Sequence, residues 1–196
     1  MSLSGKIKKI TKYSWKPNDS LNWNSKAVCE FNIEGNLERI IEVTPSKKVT
    51  ITNFQFIQDT LYSTTLYEGG QLLSKGKSTW KTKDVCESYF YYPSGLFGVI
   101  TKDYHYDSVN RAISSEITDY SKDSILISNS CRVSFLDQTN RISKVVNTNL
   151  ITSRITSIYY YVYNNLDKFG NATSYSLISE RTKKPYELIT LDIEYY

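Results

Sequence analysis

The sequence predicts an all-β protein, an antiparallel meander of short strands closing into a β-barrel, and three observations carry that expectation. First, apolar and polar residues alternate over repeated short runs, the period-two pattern of strands with one covered and one wet face. Second, clusters of Gly, Asn, Asp and Ser punctuate those runs at intervals of about 8–15 residues, the spacing of turns in sandwiches and barrels. Third, the residue types suit a sheet. Tyr supplies 17 residues beside 7 Phe and 3 Trp, while Ala is scarce, and half-buried Tyr rings with a wet hydroxyl fit strands better than helices.

Taken in order, clear alternation occurs at Ala27-Val28-Cys29-Glu30-Phe31, over residues 49–57 from Val49 to Ile57, and over 188–195 from Leu188 to Tyr195. Turns fall at Glu34-Gly35-Asn36, Glu68-Gly69-Gly70, Pro93-Ser94-Gly95, Asp107-Ser108-Val109-Asn110, Asp137-Gln138-Thr139-Asn140 and Asp167-Lys168-Phe169-Gly170-Asn171. Gly and Asn there tolerate positive φ, and Asp bonds its own backbone two residues on. Between Leu37 and Val43 two readings stay open, a short helix on the spacing of Leu37, Ile40 and Ile41, or the second arm of a hairpin. An Asp-x-x-Asn-Arg turn occurs twice, at 107–111 and 137–141, thirty positions apart. It resembles the Tyr-Asp repeats of secreted bacterial β-hairpin proteins, although hairpins converging on one turn chemistry also explain it.

A chain of 196 residues with four Pro and no Gly/Ser-rich linker reads as one domain, 1–196. A meander must protect its edge strands, and closing on itself removes them. Roughly eight to ten strands are expected, and such a barrel fills with side chains or holds one small ligand.

Composition excludes several classes. The formal charge of +4 comes from 24 basic and 20 acidic residues spread along the chain, so no nucleic-acid-binding face is expected. No run approaches the ~18–20 apolar residues of a membrane helix, and no signal peptide is read at the N-terminus, so no membrane is expected and the chain reads as cytoplasmic, or as an already processed secreted or periplasmic domain. Cys29, Cys86 and Cys131 fit no zinc spacing, and with one histidine, His105, no metal site is expected. The cysteines read as small buried residues. His105 between Asp103 and Asp107 is the one imidazole available as a base, but no Gly-x-Ser-x-Gly elbow and no phosphate-cradling loop accompany it. Glu30, Glu34, Glu38 and Glu42, or Glu116 with Asp119, offer paired carboxylates of the glycosidase kind, or ordinary exposed strand and turn residues. The catalytic residues are therefore unknown.

Arginines set in aromatic and β-branched strands are the remaining candidates: Arg132 after Cys131, Arg141 opening the next strand, and Arg154 amid Thr and Ile. Pointing inward, an Arg is costly unless a carboxylate of the protein or of a ligand meets it. Pointing outward, it is an ordinary sheet-surface residue, and alternation alone does not choose.

The segments Asn149-Leu150 through Arg154 with Thr156-Ser157, the turn Lys168-Phe169-Gly170-Asn171 and Ser179-Glu180-Arg181 resemble the strands of the calycin-type, lipocalin-like barrels of cyanobacterial bilin-handling proteins, particularly the S-type phycobiliprotein lyases. Upstream, Gly76-Lys77-Ser78-Thr79-Trp80 and the turn at Gly95 fall in the same order. The resemblance spans at most residues 76 to 181. The family's Trp-x-Ser-Gln-Arg-Thr segment on the first strand is missing, the hairpin between Arg154 and Glu180 is longer, and a further strand follows. The resemblance implies noncovalent binding of a linear tetrapyrrole, a bilin held as substrate and delivered to a cysteine of a phycobiliprotein subunit. It further implies an Arg such as Arg154 on a propionate and Glu180 on the pyrrole nitrogens, leaving Arg132, Arg141, Arg154 and Glu180 as the ligand-binding candidates.

The leading expectation is thus a small-molecule-binding barrel, an enzyme only if it is a chromophore lyase. A noncatalytic secreted β-hairpin module binding protein or glycan is the alternative. A small outer-membrane barrel, prompted by the aromatic terminus Tyr195-Tyr196, is a third reading, disfavoured by charges recurring on both strand faces.

Overall fold

The computed structural model describes residues 5–17, 19–82, 85–93, 97–106, 112–121, 123–139 and 141–196; for 19–23, 97–106 and 112–113 it describes the course of the strand alone. The described residues form fourteen strands and no helix. They are β1 (Ile7–Lys16), β2 (Asp19–Phe31), β3 (Leu37–Val43), β4 (Val49–Ile57), β5 (Thr60–Tyr67), β6 (Leu72–Thr82), β7 (Val85–Tyr91), β8 (Phe97–Tyr106), β9 (Ala112–Ser121), β10 (Leu126–Leu136), β11 (Ile142–Asn149), β12 (Arg154–Leu166), β13 (Ala172–Ser179) and β14 (Pro185–Tyr195). Each strand pairs antiparallel with the next, and β14 returns to β1, so the meander closes into a barrel without edges.

The all-β antiparallel meander is as the sequence indicates, but the ring is larger than the eight to ten strands expected from it. The connections are short, several of them five-residue turns, so nearly all of the chain is left for strands. The segment with two readings is the hairpin arm β3, paired through Ile41 with Val28 and Ile51. Of the expected turns, 107–110 and most of 93–95 lie outside the described residues.

One turn design recurs. Its first residue donates its N–H to the carbonyl of the fifth and accepts at its own carbonyl the N–H of the fourth; turns beginning at Asn32, Thr44, Tyr67, Ser121 and Asp167 are built this way. The fourth residue lies at positive φ in each, as Gly35, Lys47, Gly70, Ser124 and Gly170. This is the three-residue hairpin loop ending in a left-handed residue. The first side chain completes the turn: Asn32, Ser121, Asp137 and Asp167 each accept the backbone N–H of the third and fifth residues. The Asp turn at 137 therefore has a further copy thirty positions on, at 167, which the sequence reading did not align with it.

Strand alternation assigns the faces. Ser74 and Gly76 on β6 and Cys86 and Ser88 on β7 are buried, while the intervening Lys75, Lys77, Glu87 and Tyr89 are exposed. On β14, Ile189 and Leu191 are buried and Thr190, Asp192 and Glu194 are exposed. Following the register round the ring puts Ile10, Lys12 and Ser14, then Ala27 and Cys29, Thr52, Ser63, Ser115, Arg132, Val145 and Tyr161 on the same inner side. The apolar core is one-sided. Ala172, Tyr175, Ile189 and Leu191, with Ile10, Tyr161, Tyr163, Leu177 and Ile193 against them, occupy only β1 and β12–β14.

Fourteen strands lie between the eight that side chains just fill and the sixteen that leave an aqueous channel. The accessible surface, 12268 Å², exceeds the roughly 9,500 Å² of a compact monomer of this chain length. Inward-facing Arg132 and Glu42 remain exposed, and each strand's backbone approaches only its two bonded neighbours. Part of the inner wall is therefore open to solvent.

At the end of the barrel holding both termini, the last two residues tie the seam. Tyr196 donates its N–H to the Lys6 carbonyl at 3.0 Å and its hydroxyl to the Phe31 carbonyl at 2.5 Å. Tyr195 packs tilted against Phe169, 4.6 Å between ring centroids, and hydrogen-bonds Asp167.

Candidate ligand-binding site in the barrel lumen

The run Tyr159-Tyr160-Tyr161-Val162-Tyr163 on β12 is cut by the pleat into two sets. Tyr159, Tyr161 and Tyr163 share a face with Val145, Leu177 and Tyr175, their direct cross-strand partners, whereas Tyr160 faces out with Lys144. Tyr161 lies over Tyr175 at 5.6 Å between centroids and 25° between planes, and Tyr163 meets Tyr175 at 5.8 Å. Offset stacking of this kind holds rings in one geometry. The result is an aromatic panel set on an apolar floor of buried Ile189 and Leu191 and partly buried Ile193.

A polar belt crosses this panel. Arg132 Nη2 on β10 donates to the Tyr161 hydroxyl at 3.2 Å. On the far side of Tyr175, the fully buried Ser14 on β1 donates to Glu187 on β14. Arg132 has no carboxylate within ion-pair distance among the described residues, and its charge reaches the Tyr175 hydroxyl, which likewise has no hydrogen-bond partner among them. Burial pushes the Tyr175 phenol far up from its ordinary value, with Tyr161, Tyr163 and Glu187 adding to it and Arg132 opposing. Tyr163 is pushed up to about 12, again by burial first, while its hydroxyl donates to the Ile142 carbonyl at 3.0 Å. Both phenols are therefore held neutral; Tyr163 donates to the Ile142 carbonyl, and the Tyr175 hydroxyl is left to meet a guest.

Cys29 lies further round the inner wall. Burial raises its thiol pKa, Glu42 adds to the effect and Lys12 opposes it. Cys86 is buried, Cys29 and Cys131 are partly buried, and all three are free thiols.

The four residues expected at a ligand site do not converge. Arg132 faces the lumen. Arg141 sits on the rim at the end holding the termini, donating to the Gly170 carbonyl at 3.3 Å and resting 5.7 Å from the Tyr163 ring. Arg154 is exposed at the opposite end of β12. Glu180 lies in the β13–β14 turn, where outward-facing Tyr160 donates to it at 2.9 Å and Lys183 pairs with it at 4.0 Å. The carboxylate sets are likewise divided by the pleat. Glu30 faces out, paired with Arg39 at 2.6 Å, and Glu42 faces in; Glu116 faces out toward Asn129 while Asp119 faces in toward Ser128. No glycosidase-like pair is formed among the described residues, and none of them cluster as metal ligands. His105 lies on β8 opposite Val85, and its side chain lies outside the described residues.

No protein-family model and no curated protein matches this sequence. Its likeness is to solved structures. A porin-like protein from Bacteroides vulgatus ATCC 8482 superposes with a TM-score of 0.58 at 11% identity, over 97% of this chain and 99% of that one. A porin-like protein from Bacteroides uniformis ATCC 8492 gives 0.55 at 12%, over 96% and 98%. At such identities the likeness is one of fold, and it holds end to end.

Tyr161, Tyr163, Tyr175, Ser14 and Glu187 were not among the residues singled out from sequence. The signal for the first two was present, since Tyr159-x-Tyr161-x-Tyr163 is a period-two aromatic stripe. Ser14 and Glu187 are 173 positions apart and meet only because β14 closes on β1.

Proposed function

We propose that this barrel binds, in its lumen, an elongated and largely apolar molecule bearing an acidic group. Arg132 takes the acid, and Tyr161, Tyr163 and Tyr175 cover the apolar body. The observation that carries this reading is Arg132 itself, a cation on the inner wall beside unpaired phenol and without a carboxylate among the described residues. A guanidinium presents a planar fork that matches a bidentate anion, and a concave aromatic wall with few convergent polar groups is the usual form of a small-molecule site. Linear tetrapyrroles with propionate arms belong to this class, as do fatty and aromatic acids. The finer reading, a bilin carrier handing its cargo to a phycobiliprotein cysteine, draws on the resemblance alone, because Arg154 and Glu180 do not join Arg132.

The outer wall supports a barrel that works in water. Arg39 pairs with Glu30 at 2.6 Å, Lys81 with Glu87 at 2.8 Å, and Lys9 with Glu194, and Lys75, Lys77 and Lys144 also face out. Each Lys or Arg placed at a bilayer midplane costs about 2–4 kcal/mol, so a porin-like position in a membrane is disfavoured.

The test is titration of the full chain with cis-parinaric acid, read by fluorescence, and with biliverdin, read by visible absorbance. Saturable binding of either that weakens at least tenfold in Arg132→Gln is the expected result. Silence of both probes at about 100 μM protein, far above a micromolar dissociation constant, overturns lumen binding. Biliverdin silent with parinarate bound removes the tetrapyrrole form only.

A further inference from the structure

The outer face of β4–β7 bears an ordered grid of exposed side chains that the lumen reading does not use. The register places Gln55, Tyr62, Lys77 and Tyr89 directly opposite one another on successive strands, and Asn53, Thr64, Lys75 and Tyr91 form a second rung. Strands lie about 4.8 Å apart and the rungs about 6.7 Å apart along them. Tyr62, Tyr89 and Tyr91 are 38%, 50% and 48% exposed, far more than Tyr175 at 9%. Their hydroxyls have no partner among the described residues. Lys75 and Lys77 are exposed and form no ion pair there, and the nearest outward acid on these strands, Glu87, is taken by Lys81.

An exposed aromatic set of this size on a regular sheet is the mark of an interaction surface rather than of solvation. Its chemistry narrows the occupant. Ring faces accept the apolar C–H face of a sugar, the amides and free hydroxyls match a hydroxyl-rich chain, and uncompensated ammonium groups call for anionic charge at intervals. A nucleic acid would draw on a denser cationic track, usually with Arg, whereas only lysines stand here. We propose that this outer face binds an acidic polysaccharide, a uronate-bearing chain laid across β5–β7, with Tyr62 and Tyr89 as platforms and Lys75 and Lys77 on the carboxylates.

Affinity electrophoresis of the full chain in native gels containing polygalacturonate tests this. The expected result is retardation relative to a plain gel, weakened by added salt and reduced at least tenfold in apparent affinity by Tyr89→Ala and by Lys77→Gln. Arg132→Gln, on the other side of the wall, leaves retardation unchanged. These exposed positions tolerate substitution, and an unaltered melting temperature confirms that each variant folds. The proposal is overturned by unretarded migration in polygalacturonate, by retardation that persists in both outer-face variants, or by stronger binding to a single-stranded oligonucleotide than to the polysaccharide. A neutral glucan retarding as strongly as polygalacturonate overturns the role given to the lysines and with it the acidic class.

Discussion

The two sides of this barrel are built on opposite rules. On β12–β14 and β1 the inner wall is bulky, with Tyr161, Tyr163, Tyr175, Ile189 and Leu191 touching one another. On β5–β7 the inner wall carries many small residues, Ser63, Ser74, Gly76, Ser78, Cys86 and Ser88, interspersed with Leu61, Tyr67, Trp80 and Phe90, and Tyr62, Tyr89 and Tyr91 stand outside. The first side packs its rings together on the inner face, whereas the second also sets three tyrosines on the outer one. The first side supplies apolar burial. The second is held by backbone pairing and by hydroxyl bonds such as Ser88 to Ser78 at 2.7 Å.

Truncating one tyrosine on each side should therefore give very different costs. Tyr175→Ala removes the ring that Tyr161 and Tyr163 both contact and is expected to destabilise by about 3–5 kcal/mol. Tyr89→Ala on the outer face should stay within about 0.5 kcal/mol of wild type. Chemical denaturation of both variants measures the difference, and equal losses would erase the distinction between the walls.

The recurring turn offers the same comparison at smaller scale. Asp167, on the bulky side, accepts two backbone N–H groups and is also bonded by the Tyr195 hydroxyl and the Asn171 side chain; Ser121, opening the β9–β10 turn, accepts backbone N–H groups alone. Asp167→Ala is expected to cost about 2–3 kcal/mol and Ser121→Ala about 1 kcal/mol. Burial raises the Asp167 pKa, but the bonds from Tyr195, Asn171 and Phe169 outweigh it and hold the carboxyl below its ordinary value. The sign follows: this stabilisation is present above about pH 4 and is lost as pH falls through the folded pKa. Denaturation midpoints of wild type and Asp167→Asn should therefore converge in acid.

Much of this fold was legible because alternation and turn chemistry are local. Val49 to Ile57 and Leu188 to Tyr195 read as strands from their own residues, and Gly35, Gly70 and Gly170 sit at positive φ in their turns. The strand number and the site were not legible in that way. Closure of β14 on β1 is a contact between chain ends, and nothing near Ser14 announces Glu187. Arg132 was open in sequence because Cys131-Arg132-Val133 fits either face; the buried Val145, two strands' register away from Ser115, fixes it inward. Glu180 was assigned to a ligand on resemblance, and the turn carries it outside.

Gly76 shows what the thin side will not tolerate. A Cβ there would meet the Ser63 hydroxyl and lie 2.8 Å from the Phe90 ring, so the ring covers the glycine and fills the space a side chain would take. Gly76→Ala is expected to cost about 1–3 kcal/mol through overpacking. Gly69, with nothing within 4 Å of the same added atom, is the control, and its Ala variant should be near neutral in a thermal melt.

The smallest expected effect distinguishes the walls by titration. Burial among other phenols disfavours the anion and pushes Tyr163 up to about 12 and Tyr175 up likewise, whereas Tyr62 and Tyr89 are exposed. An alkaline titration read at the phenolate absorbance should thus show a lagging set of tyrosines that ionise above the ordinary phenol value, and Tyr163→Phe should remove one from that set. Unfolded tyrosines release their protons first, so the folded state loses stability as pH rises from about 10 toward 12 and is unaffected below that window. A single titration step for all tyrosines, with no laggards before unfolding, would mean that Tyr163 and Tyr175 are as wet as the outer rings. The bulky wall would then lack the dry floor on which an apolar guest has to rest.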